Sequence, residues 1–117
     1  MNTINLDITA KQLHETAVEK GFWEPNNEDT HIIFYLKQIA MIHSEATEVL
    51  EAIRKEQGGE KIVEELADIL IRVLDLYQGL REDGMVTKGY SIMSLHDVFE
   101  KKAKINESRA RLHGVLA

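Results

Sequence analysis

The sequence predicts an all-α fold, an antiparallel bundle of about four helices whose core is completed by oligomerisation. Three observations predict it. Proline occurs once in 117 residues, at Pro25. No run of alternating Val, Ile and Thr supports a strand. Apolar residues recur instead at three- and four-residue spacing through long segments, the period of a helix with one buried face.

Thr9 can cap a first helix that runs to about Lys20, where Gly21 suits the left-handed stop position. The link from Phe22 to Glu28 carries Pro25-Asn26-Asn27, a turn signal. Asp29 or Thr30 can then cap a long second helix, about His31 to Gln57, with the apolar series Ile32, Leu36, Ile39, Ala46, Leu50 and Ile53, and Gly58-Gly59 ends it. The third helix, about Glu60 to Leu80, is expected to bury Ile62, Leu66, Ile69, Val73 and Tyr77 before Asp83-Gly84 closes it. After a loop containing Gly89, a fourth helix starts at about Ser91 or Ser94 and runs to Leu112, before Gly114. The short connection between the second and third helices requires them to lie antiparallel and side by side.

The length fits one domain over residues 1–117. No apolar run approaches the roughly 20 residues that span a bilayer, and Met1 to Ala10 lack the basic start and apolar stretch of a secretory signal. A cytoplasmic protein without a membrane partner is the expectation. Zero cysteines exclude disulfides, thiolate zinc sites and cysteine nucleophiles. The net charge of −6 argues against a nucleic-acid partner held by a basic surface. Positive charge is local, with five Lys or Arg against two Glu between Glu100 and His113.

Glu45 and Glu48 stand three apart, so on a helix they share a face, on an arc with Phe34, Met41 and Ala52, while Lys37, Ser44, Glu51 and Lys55 lie on the solvated arc. Acids within an apolar stripe are costly to bury without a positive partner. Glu65 and Asp68 repeat the spacing on the third helix, although Lys61, Arg72 and Asp75 on their arc give it the look of a wet face. Glu48 lies ten residues before Gly58 and Asp68 nine after Gly59, so the two pairs come to similar heights on neighbouring helices. Four carboxylates can then converge. An all-oxygen cluster suits Mg²⁺, with Mn²⁺ as a possible substitute, rather than zinc or copper.

On the last helix Lys102, Asn106, Arg109 and His113 share one face, and Leu95, Val98 and Ile105 on that face predict that it points inward, with Lys101, Lys104 and Arg111 outward. Arg offers a planar fork, Lys a point charge and Asn a neutral donor, together a phosphate clamp.

The acidic segments, His43 to Ala52 and then Glu64-Glu65-Leu66-Ala67-Asp68-Ile69-Leu70 after a 16-residue spacer between Glu48 and Glu65, resemble the ExxE, spacer, ExxD signature of the MazG-like, all-α nucleoside triphosphate pyrophosphohydrolases. Where many members carry a further acid before the first motif glutamate, this chain has Ser44. Lys102, Asn106, Arg109 and His113-Gly114 resemble the family's last helix, and Gly21-Phe22-Trp23 is similar to a segment frequent in phage and bacterial members. The resemblance implies a Mg²⁺ held by Glu45, Glu48, Glu65 and Asp68. It implies hydrolysis of a ribo- or deoxynucleoside triphosphate to the monophosphate and pyrophosphate. Glu45 or Glu48 would also be catalytic, orienting the attacking water, and Lys102, Asn106 and Arg109 would hold phosphates. A homodimer or a dimer of dimers is likewise implied.

Phe22 and Trp23 offer an aromatic surface for the nucleobase, against the more ordinary role of packing at a helix junction. Asp75 can orient a metal ligand from one turn further along, whereas His14 and His31 receive no role. Phe34, Met41 and Ile71 are expected to be exposed and to form a dimer interface. A di-iron carboxylate bundle is the weaker rival, since only Glu28-x-x-His31 fits its ligand spacing and it lies far from Glu45. A non-catalytic helical dimerisation or regulatory module is the other.

Overall fold

The computed structural model describes residues 3–24 and 31–109. Four α-helices and one short hairpin follow in order: α1 Leu6–Glu19, α2 His31–Arg54, α3 Gly59–Glu82, β1 Thr87–Lys88, β2 Ser91–Ile92 and α4 Leu95–Ser108. The fold is all-α, as the sequence predicts. The expected turn at Pro25-Asn26-Asn27, the caps at Asp29 or Thr30, Glu28 of the di-iron spacing and the end of the last helix with His113-Gly114 lie outside the described residues.

α1 begins four residues earlier than expected. Asn5 rather than Thr9 caps it, its side-chain oxygen accepting from the backbone N–H groups of Asp7 at 3.0 Å and Ile8 at 3.1 Å. Asn is among the strongest N-cap residues, and the Thr9 hydroxyl bonds back to the Asn5 carbonyl inside the first turn. Gly21 takes φ +83° just past the end of α1, so that the chain can turn back and lay Trp23 on α3. α2 stops at Arg54 and not at the Gly58-Gly59 pair. The stop is made by Glu56 at φ +51°, with Glu56 N–H bonded to the Ile53 carbonyl and Gln57 N–H to that of Ala52.

α3 is the central helix and packs along both α1 and α2. Tyr35 meets Gly79 and Glu45 meets Arg72, so residue numbers rise on α2 as they fall on α3. The pair is antiparallel. α1 also runs against α3, with Asp7 facing Arg81 and His14 facing Asp75. The hairpin is absent from the sequence prediction, which has only a loop there. It is strapped to α3 by the Tyr77 hydroxyl, which donates to the Met93 carbonyl at 2.7 Å.

Burial departs from the expected pattern on both long helices. Tyr35 and Ala52 are the buried residues of α2, whereas Ile32, Leu36, Ile39, Leu50 and Ile53 of the expected core series are exposed. On α3, Leu66 and Val73 are exposed while Glu65 is buried. The arc that looks wet in sequence is therefore the one turned toward α1 and α2, and much of the apolar arc faces outward in a single chain. Phe34, expected to be exposed, is half-buried against Trp23 with ring centroids 5.2 Å apart, whereas Met41 and Ile71 are exposed as expected and line a cleft.

α4 is joined to the body at its first turn. Ser94 caps it through the Asp97 N–H, not Ser91, which lies in β2, and the Ser94 hydroxyl also donates to the Asp7 carboxylate. Asp7 further accepts the His96 N–H at 3.0 Å, and the Leu6 N–H donates to His96 Nδ1 at 3.1 Å. Beyond this clip, residues 97–109 are all exposed. The expectation that Val98, Ile105, Lys102, Asn106 and Arg109 face inward fails within one chain, because all five are exposed beyond the first turn, where Ser94 and His96 anchor α4.

Candidate metal centre

Glu45 from α2 and Glu65 and Asp68 from α3 each offer a carboxylate oxygen, and the three oxygens lie within 4.8 Å of one another. Three-residue spacing on one antiparallel helix opposite a single acid on the other produces this meeting. Oxygens around Mg²⁺ at about 2.1 Å stand roughly 3 to 4 Å apart, so rotamer-scale adjustment would close the group on an ion. The donor set fits the metal: it is hard, anionic and all oxygen.

Two cations share this region. Arg72 Nε donates to Glu45 Oε1 at 2.9 Å, and Lys61 Nζ lies 2.8 Å from Glu65 Oε1. The Lys61 ammonium is held above its ordinary pKa, first by the hydrogen bond and charge of Glu65, then by the charges of Glu64 and Glu48. Glu65 is 6% exposed, and Lys61 is its ion-pair partner there. Glu48, expected as a fourth ligand, is exposed and stands apart from the three-oxygen group, near enough to Lys61 to act on its charge. Ala52 on the shared arc is buried, but Glu48 itself is exposed, so the apolar setting expected for Glu48 does not hold. Glu51 on the solvated arc is tied to Arg54 and Lys55, and the Arg54 bond lowers its pKa.

Glu45 and Asp68 open onto a cleft of about 630 Å³ between α1, α2 and α3. Its size suits a small-molecule ligand. Leu13, Ala17, Phe22, Met41 and Ile71 give it apolar walls, and Thr16, Gln38, Arg72 and Asp75 add polar groups. Phe22, 69% exposed, is thus a cleft residue. Trp23 is not: its ring lies against Gly79, makes an edge contact with His14 at 4.6 Å between centroids, and its N–H donates to Asp75 at 2.8 and 2.9 Å. The indole borders a separate small cavity of about 190 Å³ with Phe34, Tyr35 and His31. There the Tyr35 hydroxyl bonds the Gly79 carbonyl and the Asp83 carboxylate. Burial and then Asp83 hold its pKa well above the phenol range.

Lys102, Asn106 and Arg109 do not line the cleft, and no residue of α4 does among those described. Arg72 was legible only as part of a polar arc, and His14 as an isolated helical histidine. Yet Arg72 touches the acidic group, and His14 is 5% exposed with Nδ1 2.8 Å from Asp75. The signal that could have found His14 is its place on α1, about one turn from Ala10 and from Ala17 on the same buried side.

Comparison with curated proteins and with solved structures returned no match. The sequence model of the MazG nucleotide pyrophosphohydrolase domain matches residues 35–109, which span all three clustered acids, Arg72 and α4. With that match over most of the chain, joined to a helical fold in which Glu45, Glu65 and Asp68 converge beside a cleft, this chain belongs to the MazG nucleotide pyrophosphohydrolase family.

Proposed function

We propose that the chain is a Mg²⁺-dependent pyrophosphohydrolase that converts a ribo- or deoxynucleoside triphosphate to the monophosphate and pyrophosphate, in control or sanitation of a nucleotide pool. The observation that carries this reading is the convergence of Glu45, Glu65 and Asp68 at the edge of a half-apolar cleft with Arg72 beside them. Glu45, Glu65 and Asp68 would hold the ion, with Glu48 joining by a rotamer change, and Mn²⁺ could substitute. When bound, such an ion offsets phosphate charge and lowers the pKa of a water.

The protein's own part is positioning and proton transfer. Glu45, which faces the cleft, is better sited than exposed Glu48 to take the proton of the water that attacks the α-phosphorus. The bond from that phosphorus to the oxygen bridging toward the β-phosphorus breaks, and pyrophosphate leaves. Arg72 is free to exchange Glu45 for a phosphate oxygen once a cation takes over the carboxylate. Phe22 and the apolar walls suit the face of a base, with Trp23 supporting them from behind.

Lys102, Asn106 and Arg109 act on the leaving phosphates from α4 of a neighbouring copy. Supporting this are the separation of α4 from its own chain's cleft and the exposed apolar rows of α2 and α3, which favour a homodimer or a dimer of dimers. Among the described residues no helix is long and apolar enough to cross a membrane.

The test is pyrophosphate release from a panel of ribo-, deoxy- and modified triphosphates with and without Mg²⁺. Mg²⁺-dependent release, lost in Asp68→Ala by more than the roughly 100-fold that removing an outer-shell partner costs, is the expected result. Metal-independent release, or near-normal turnover of Asp68→Ala in saturating Mg²⁺, would overturn it.

A further inference from the structure

Asp75 is a carboxylate with a fixed back and an open front. Its Oδ1 accepts from His14 Nδ1 at 2.8 Å and from Trp23 Nε1 at 2.8 Å, while Oδ2 receives only a share of that same indole N–H, at 2.9 Å. The side chain is 14% exposed, and Asp75 lines the cleft. His14, 5% exposed, is steadied from its other side by Glu82, 3.5 Å from Nε2. No lysine or arginine is paired with Asp75 in the described residues, since the nearby Arg72 is engaged by Glu45. An ionised carboxylate accepts at about four lone-pair positions and donates at none, so Oδ2 presents acceptor capacity to the cleft that only a hydrogen-bond donor can use.

Position along α3 decides what that donor belongs to. Asp75 stands seven residues beyond Asp68, about 10 Å along the helix at roughly 1.5 Å per residue, too far to bind the same ion at about 2 Å. It is on the side of the cleft where Leu13, Phe22 and Ile71 supply apolar surface. A polyphosphate at the acidic group would carry its nucleoside in this direction.

Resting on the pyrophosphohydrolase reading, we propose that Asp75, held by Trp23 and by His14 as a positioning residue, selects the nucleoside by accepting a hydrogen bond from one of its donors. The donor is a sugar hydroxyl or an exocyclic amine of the base. Both present the same chemistry to a carboxylate, and rigid support on two sides lets Asp75 discriminate against a nucleoside lacking it, because an unpaired acceptor then faces a drier cleft.

The experiment titrates the wild type and Asp75→Asn calorimetrically with the deoxynucleoside monophosphates, with deoxyuridine and deoxyinosine monophosphates that lack the amine, and with 2′,3′-dideoxy counterparts that lack the hydroxyl. The expected result is a loss of roughly 10- to 100-fold in affinity for the best-bound monophosphate in Asp75→Asn, the range for a hydrogen bond to a charged partner. The counterpart missing the donor should bind the two proteins alike, and which counterpart behaves so names the donor as base or sugar. In turnover, Asp75→Asn and His14→Ala should raise KM with kcat little changed. His14→Asn, whose amide can replace the Nδ1 donor, should restore KM. Equal weakening toward every monophosphate, no weakening, no binding by the wild type, or a fall in kcat at constant KM would each overturn the proposal. Failure of every triphosphate to be hydrolysed would instead sink the pyrophosphohydrolase reading, and the monophosphate titration would still decide the role of Asp75.

Discussion

At the scale of single residues, two buried contacts set the shape of the small cavity beside Trp23. Gly79 lies inside a helix, where glycine ordinarily costs about 0.5–1 kcal/mol relative to alanine. The cost is met because a Cβ at this position would stand 2.3 Å from the Trp23 ring. Gly79→Ala should therefore destabilise the protein by about 1–3 kcal/mol through overpacking. Because Trp23 is the one tryptophan in the sequence, a shift in its fluorescence should accompany the lower urea midpoint. Tyr35 gives a pH signature. Its hydroxyl stays protonated in the folded state well past the ordinary phenol value of 10.0, so above that pH the unfolded chain binds fewer protons than the native one. Stability should fall as pH rises through this range, and Tyr35→Phe should flatten the fall in urea midpoint measured from pH 8 to 11. In the metal group, Glu45→Gln and Asp68→Asn should each lower Mn²⁺ affinity, read by paramagnetic relaxation of water, more than Glu48→Gln does, since Glu48 stands outside the three-oxygen group.

At the scale of elements, the stop of α2 carries strain that the acidic register does not need. Glu56 adopts φ +51°, a conformation that costs a non-glycine residue about 1–2 kcal/mol. Glu56→Gly should raise stability by about 1 kcal/mol in denaturant unfolding without moving Glu45 relative to Asp68, because the tight link from Lys55 to Gly58 is retained. α4 is an element with a clip at one end and three functional candidates toward the other. If its basic face serves a triphosphate, Arg109→Ala should weaken triphosphate binding by roughly tenfold or more while leaving monophosphate binding unaltered, measured by calorimetry with Ca²⁺ in place of Mg²⁺. Equal affinities would remove Arg109 from the clamp.

At the scale of the whole molecule, a single chain leaves too much apolar surface outside. Ile32, Leu36, Ile39, Leu50 and Ile53 on α2, with Val63, Leu66, Leu70 and Val73 on α3, are all exposed, while the buried hydrophobic core among the described residues is limited to Ala10, Tyr35, Ala52 and Tyr77. The proposal of a homodimer or a dimer of dimers rests on rows of this kind. Leu36→Glu combined with Leu70→Glu should shift the mass in analytical ultracentrifugation from a multiple of 13.4 kDa toward 13.4 kDa. If activity falls with it at constant helix content, the cleft depends on a second copy, as a clamp from a neighbouring α4 requires. A wild type that sediments as a monomer would exclude that arrangement.

The sequence by itself determined the helical class, the number and approximate bounds of the helices, and the antiparallel pairing that carries Glu45 to Glu65 and Asp68. Each of these depends on local rules, namely periodicity, turn residues and equal counts of residues from a short link. Tertiary structure decided which side of each helix is inside. Periodicity marks an apolar face but cannot say whether its own chain or another copy covers it, so the sequence alone places Leu36 and Leu66 in the core and gives the arc of Glu65 the look of a wet face. It also decided the role of isolated polar residues. His14, Trp23 and Asp75 are separated by many positions along the chain, and no spacing rule links a histidine on α1 to a carboxylate on α3. Only the packing of α1 and the turn at Gly21 against α3 brings their hydrogen-bonding groups within 3 Å, because long-range contacts arise from the way faces fit and not from the order of residues.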